Sequence, residues 1–174
     1  MRQALIESYI NQLRASFGKL RTPVAEEALR TLYDAKDYAG MVYCIQTILR
    51  LDLTMRLGLV NSGGPNAPAW VEAPVPMPTY GTPAFRQLTV TMYLRKTFLA
   101  MSTFEWVVMA IAHELCHVVL DAIAHPLRRQ EEAVDLTAML LGFRDFYVTG
   151  CRSVRKQALP LADRLAGYEA YRIS

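Results

Sequence analysis

His113-Glu114-Leu115-Cys116-His117 lies inside a longer apolar stretch, Trp106 to Ala124, and the reading of that stretch decides the fold. On a helix, positions i and i+4 share a face, so the two imidazoles can hold one tetrahedral metal ion while Glu114, rotated off that face, reaches water beside it. The stretch is apolar enough to pass for a membrane span, but His113, Glu114, His117 and Asp121 interrupt it well short of about 20 continuous apolar residues. It reads as a buried helix, capped at Thr103 and ended by Pro126.

Working outward, the 174-residue chain is the length of one domain, and its 52% apolar and 20% charged residues are globular proportions. A net charge of +3 is too small to argue for nucleic acid, and the basic cluster Arg152, Arg155, Lys156 lacks interleaved aromatics, so it reads as a solvated helix face. Cys44, Cys116 and Cys151 are odd in number and form no C-x-x-C pair, which favours a reducing compartment. Glu7 falls where a secretory signal needs an unbroken apolar core, so residues 1–7 begin an amphipathic helix and the expectation is a cytoplasmic protein. Arg2, Arg14 and Lys19 make too sparse a basic face for attachment to a membrane surface.

The first segment, residues 1–53, is helical. Leu5, Ile6, Tyr9, Ile10, Leu13 and Phe17 recur at helical spacing before Gly18, Thr22-Pro23 announces a second helix to about Tyr33, and a third covers Tyr38 to Leu51. Residues 55–96 carry strands and a breaker-rich loop. Arg56–Val60 reads as a strand, and six of the nine prolines then fall between Asn61 and Phe85, with room for a short piece at Trp70-Val71-Glu72. Trp70, Met77, Tyr80 and Phe85 argue for an ordered, rim-forming loop, a plain connector being the competing view. Gln87 to Lys96 alternates Leu88, Val90, Met92, Leu94 with Thr89, Thr91, Tyr93, Arg95, the pattern of a strand with one buried face. Residues 103–147 form the metal-binding helix pair, the second helix running from Leu127 past Gly142 towards Tyr147, and 151–174 a helical tail.

A catalytic zinc site needs a third protein ligand and an open position. Asp121 and His125 lie about 6 and 12 Å beyond His117 along a continuous helix, too far to join both histidines. They read as a surface or capping residue and a turn residue beside Pro126, and position 120 is leucine and 123 isoleucine, which excludes the metzincin extension. On the next helix Glu131 and Asp135 share a face one turn apart, and a hairpin at His125-Pro126-Leu127 returns that face to the histidines. Glu131 is then the third ligand and Asp135 the acceptor for the outer N–H of a ligating histidine. Glu132 competes with Glu131, but it is rotated by about 100° and no acid follows it one turn on. Ala138 and Gly142 continue the Glu131 face as small residues that let the helices approach closely.

H-E-x-x-H followed on the next helix by E-x-x-x-D resembles the gluzincin metallopeptidases, and the short layout is similar to the minigluzincins and to soluble relatives of HtpX-type endopeptidases. The resemblance covers about residues 87–147. It implies an α+β, mostly helical, zincin-like domain with a small mixed sheet whose edge strand precedes the metal helix. It also implies one Zn²⁺ on His113, His117 and Glu131, with Glu114 as general base and acid, Asp135 behind a ligand, and a peptide or protein substrate. Only 13 residues separate His117 from Glu131, which leaves no room for the insertions of larger relatives.

In such a site Glu114 deprotonates a water that attacks a peptide carbonyl and then protonates the departing amine. Tyr147, Arg144, His125 and Tyr168 are candidates to steady the oxyanion, none favoured by the sequence, and each otherwise a packing or surface residue. Extended substrate is expected to pair with the strand before the metal helix, near Thr89, Thr91, Tyr93 and Arg95. Cys116 reads as a small core residue on the back of the helix. The alternative function is a non-proteolytic or latent metal-binding regulatory or interaction domain whose cleft is occluded by the loop from Asn61 to Phe85; the presence of Glu114 counts against it, since a structural zinc needs no base.

Overall fold

The structure is a computed structural model that describes residues 2–156, with side chains over 3–152. Three helices, α1 (Arg2–Phe17), α2 (Glu26–Asp34) and α3 (Tyr38–Ile48), lead into strands β1 (Thr54–Val60) and β2 (Ala69–Glu72), a short turn of helix α4 (Pro83–Arg86), and β3 (Thr89–Arg95). Then come α5 (Lys96–Met101), α6 (Phe104–Ala122), α7 (Glu131–Ala138), a wide π-type turn at Met139–Phe143, and α8 (Arg144–Lys156). The fold is α+β, with a three-stranded mixed sheet, and no helix among the described residues is long and apolar enough to cross a membrane.

The centre of the molecule is α6. A helix apolar on every side must be enclosed by other elements, and α6 is packed by α2, α3, α7, α8 and β2. Val107, Val108, Ile111, Ala112, Leu115 and Leu120 on it are all fully buried, and they join one apolar core with Leu13, Leu29, Met41, Ile45, Met92 and Phe143.

β3, expected at the edge of the sheet, is not an edge strand. The sheet order is β1-β3-β2, with β1 parallel and β2 antiparallel to β3, so β3 is central and paired on both edges over Thr91–Leu94. A two-residue alternation tells which face is buried but not which neighbours a strand has. Val90, Met92 and Leu94 point into the helical layer, and Thr89, Thr91, Tyr93 and Arg95 lie on the opposite, outer face. There Tyr93 stacks on Trp70 of β2, with ring centroids 5.1 Å apart. Arg95 ties down the proline-rich loop by donating to the carbonyls of Gly63, Pro65 and Ala67. Farther along, Tyr80 N–H donates to Ala122 O at the end of α6 and its hydroxyl to Arg50 O, both at 2.9 Å, so the loop is ordered.

Three further expectations need correction. Helix α2 starts at Glu26, with Ala25 as its cap and no side-chain capping bond, because Arg21 and Val24 instead donate their N–H groups to Leu140 O and Gly142 O, each at 2.9 Å. The helix expected from Leu127 through Tyr147 begins at Glu131 and breaks at Gly142, where φ is +113°. A Cβ at Gly142 would stand 2.8 Å from Thr22 O, so this glycine turns the chain beneath the 21–24 segment and does not serve the approach of α7 to α6. The helix expected after Gly150 is already under way there: α8 runs through it, and Gly150 sits against Met109 Sδ of α6. The tail beyond, with Tyr168, lies outside the described residues.

A candidate metal centre of two histidines and a glutamate

His113 and His117 sit one turn apart on α6, their rings edge to face with centroids 5.0 Å apart. The chain leaves α6 by a tight cap: Ala124 takes a left-handed φ of +50°, its N–H donates to Asp121 O, and His125 N–H reaches back to Leu120 O. Leu127 N–H donates to His125 Nδ1 at 3.1 Å, closing the turn, and Arg128 and Arg129 pair with Asp121 at 3.6 and 3.9 Å. Asp121 is thus a half-buried, ion-paired residue and His125 a buried turn residue, and neither belongs to the side chains that, among the described residues, could hold a metal.

That short connection returns Glu131, the first residue of α7, to the histidines. Its Oε2 lies 3.1 Å from His113 Nε2 and 3.4 Å from His117 Nε2, and the three donor atoms all fall within 4.8 Å of one another. Tetrahedral ligand atoms at about 2.0–2.1 Å from zinc are separated by roughly 3.3 Å, which the two nitrogen–oxygen spacings match, and the three donors together could hold a metal ion. Glu132, the competitor, is exposed. Asp135 Oδ1 accepts from His113 Nδ1 at 2.8 Å and Glu131 Oε2 from its Nε2 at 3.1 Å, so the metal-free imidazole meets a carboxylate at both nitrogens, and Asp135 would keep Nδ1 protonated if Nε2 gave up its proton to ligate.

The electrostatics describe a place for positive charge. Burial pulls the His113 pKa down, but its hydrogen bonds to Asp135 and Glu131 and the fields of Asp135 and Glu114 outweigh it and raise it to about 10. Burial likewise opposes ionisation of Glu131, yet bonds from His113 and His117 bring it down to about 2. Without a metal, a proton on His113 supplies the cation that the carboxylates demand. Glu114 is only 5% exposed and within Coulomb reach of His113. Cys116 is fully buried in the core, where desolvation pushes its thiol pKa up, as a packing residue requires.

The remaining candidates are dispersed. Thr89, Thr91 and Tyr93 lie on the face of the sheet turned away from α6, and the backbone of Thr91 and Tyr93 is paired with strands on both sides. His125 is buried against Phe17, bonds the Gln12 backbone, and has its Nδ1 committed to Leu127 N–H. Arg144 is exposed at the start of α8. Tyr147 lies behind the histidines, its hydroxyl donating to Asp135 Oδ1 at 3.1 Å. That contact was not readable in the sequence, because it depends on the break at Gly142. No family model matches the chain, and neither a curated protein nor a solved structure matches it, so the reading of this centre rests on its own residues and geometry.

Proposed function

We propose that the chain is a zinc-dependent metallopeptidase of the gluzincin kind, holding one Zn²⁺ on His113, His117 and Glu131. The observation that carries this is the convergence of those three donors with His113 backed by Asp135 and with Glu114 next to His113 on the same helix. Zinc in such a place supplies Lewis-acid polarisation of a carbonyl and brings the pKa of a coordinated water towards 7. The protein's part is positional and acid–base. Glu114 accepts a proton from the attacking water at its carboxylate and delivers it to the amine nitrogen as the peptide bond breaks. Asp135 keeps His113 Nδ1 protonated and Nε2 free to ligate. Extended peptide pairs with the outer edge of β2, the strand that packs on α6 and has one sheet neighbour among the described residues.

The test is cleavage of an unfolded protein such as casein by the zinc-loaded chain. Glu114→Gln is expected to keep zinc and the fold while losing cleavage by about 10²- to 10⁴-fold. A wild-type protein that binds zinc and leaves casein intact would contradict the peptidase reading and favour the latent one.

A further inference from the structure

Tyr147 donates its hydroxyl to Asp135 Oδ1 although 12 residues separate them along the chain. On one straight helix, Cα atoms that far apart stand about 18 Å from each other. The bond exists because the chain turns at Gly142, whose φ of +113° suits glycine and whose missing Cβ leaves room for Thr22 O. The turn is held from outside by the N–H groups of Arg21 and Val24.

The two partners differ in freedom. The Asp135 side chain is 46% exposed, so its carboxylate has solvent to turn into, whereas Tyr147 is 4% exposed and locked in the core. The oxygen that accepts from Tyr147 is the same Oδ1 that faces His113 Nδ1 at 2.8 Å. We propose that Tyr147 is a positioning residue of the metal centre: its hydroxyl holds Asp135 on His113 and so keeps Nε2 aimed at Glu131 and His117. This rests on the metal-site reading above and extends it one layer, from the carboxylate behind the ligand to the tyrosine that fixes the carboxylate.

Zinc affinity, measured by competition with a chromophoric chelator, tests it without reference to activity. Tyr147→Phe keeps the buried ring and removes one hydroxyl, and thermal unfolding of the metal-free variant checks that the fold is retained. Affinity is expected to fall about tenfold, the lower end of the range for lost contacts behind a ligand. In an Asp135→Ala background the same substitution is expected to cost nothing further, since its effect runs through Asp135. Unchanged affinity in Tyr147→Phe, or an equal loss in both backgrounds, would overturn the proposal. A wild-type chain without zinc affinity, or a His113→Ala variant that binds as tightly as wild type, would instead remove the metal site itself and this role with it.

Discussion

At the scale of the residue, His113 gives the sharpest pH behaviour. With its metal-free pKa raised to about 10, zinc at the proposed site would have to displace its proton at neutral pH. About one proton is therefore expected to leave per zinc bound, with affinity rising about tenfold per pH unit from neutrality towards 10. Calorimetry in buffers of different ionisation enthalpy measures that proton directly, and no buffer dependence would count against the assignment. In the metal-free protein the signs run in opposite directions for the two partners. A raised His113 pKa stabilises the fold fully below its ordinary 6.5, and that stability is lost as pH rises through about 10. A lowered Glu131 pKa stabilises above its ordinary 4.5, and that stability is lost as pH falls through about 2. The cluster's contribution is therefore expected to be greatest between those ordinary values, and denaturant titrations of the metal-free wild type and Glu131→Gln across pH check it.

At the scale of elements, the centre depends on two left-handed residues in the connections around α7. Ala124 closes α6 at a φ of +50°, where a Cβ is crowded and glycine is at ease. Ala124→Gly is expected to raise stability by up to about 1 kcal/mol, read from the denaturation midpoint. Gly142→Ala works in the opposite sense: strain at φ +113° and a contact of 2.8 Å with Thr22 O are expected to cost about 1–3 kcal/mol. These elements also mark how far the sequence could be read. The i, i+4 histidines and the Glu131–Asp135 pair were legible because helical periodicity alone puts them on shared faces, and the short connection left little choice of where α7 could return. Gly142 was not, because a small residue in a helical pattern looks the same whether it eases packing or turns the chain, and the difference lies in carbonyls that accept from residues 21 and 24. Thr22-Pro23 spelled a cap for the same reason: local chemistry favoured one, and backbone pairing with the distant turn overrode it.

At the scale of the whole molecule, α6 joins the proposed metal centre to the core, so metal binding there would be linked to folding. Zinc at 100-fold over its dissociation constant is expected to add about 2.7 kcal/mol to stability, reversed by a chelator. Truncating the fully buried Leu120, three residues beyond His117, to alanine is expected to cost about 2–5 kcal/mol. The sheet was legible as strands but not as an order: alternation placed Val90, Met92 and Leu94 inside, yet only the return of β2 from within the proline-rich loop put β3 in the middle. That moves the open edge beside α6 from β3 to β2 and leaves the three proposed ligands unaltered. The most direct test of the central claim is metal analysis of the purified wild type beside Glu131→Ala. One zinc per chain in the wild type, and its loss in the variant with the fold intact, is the predicted result; full zinc occupancy in Glu131→Ala, or none in the wild type, would contradict it.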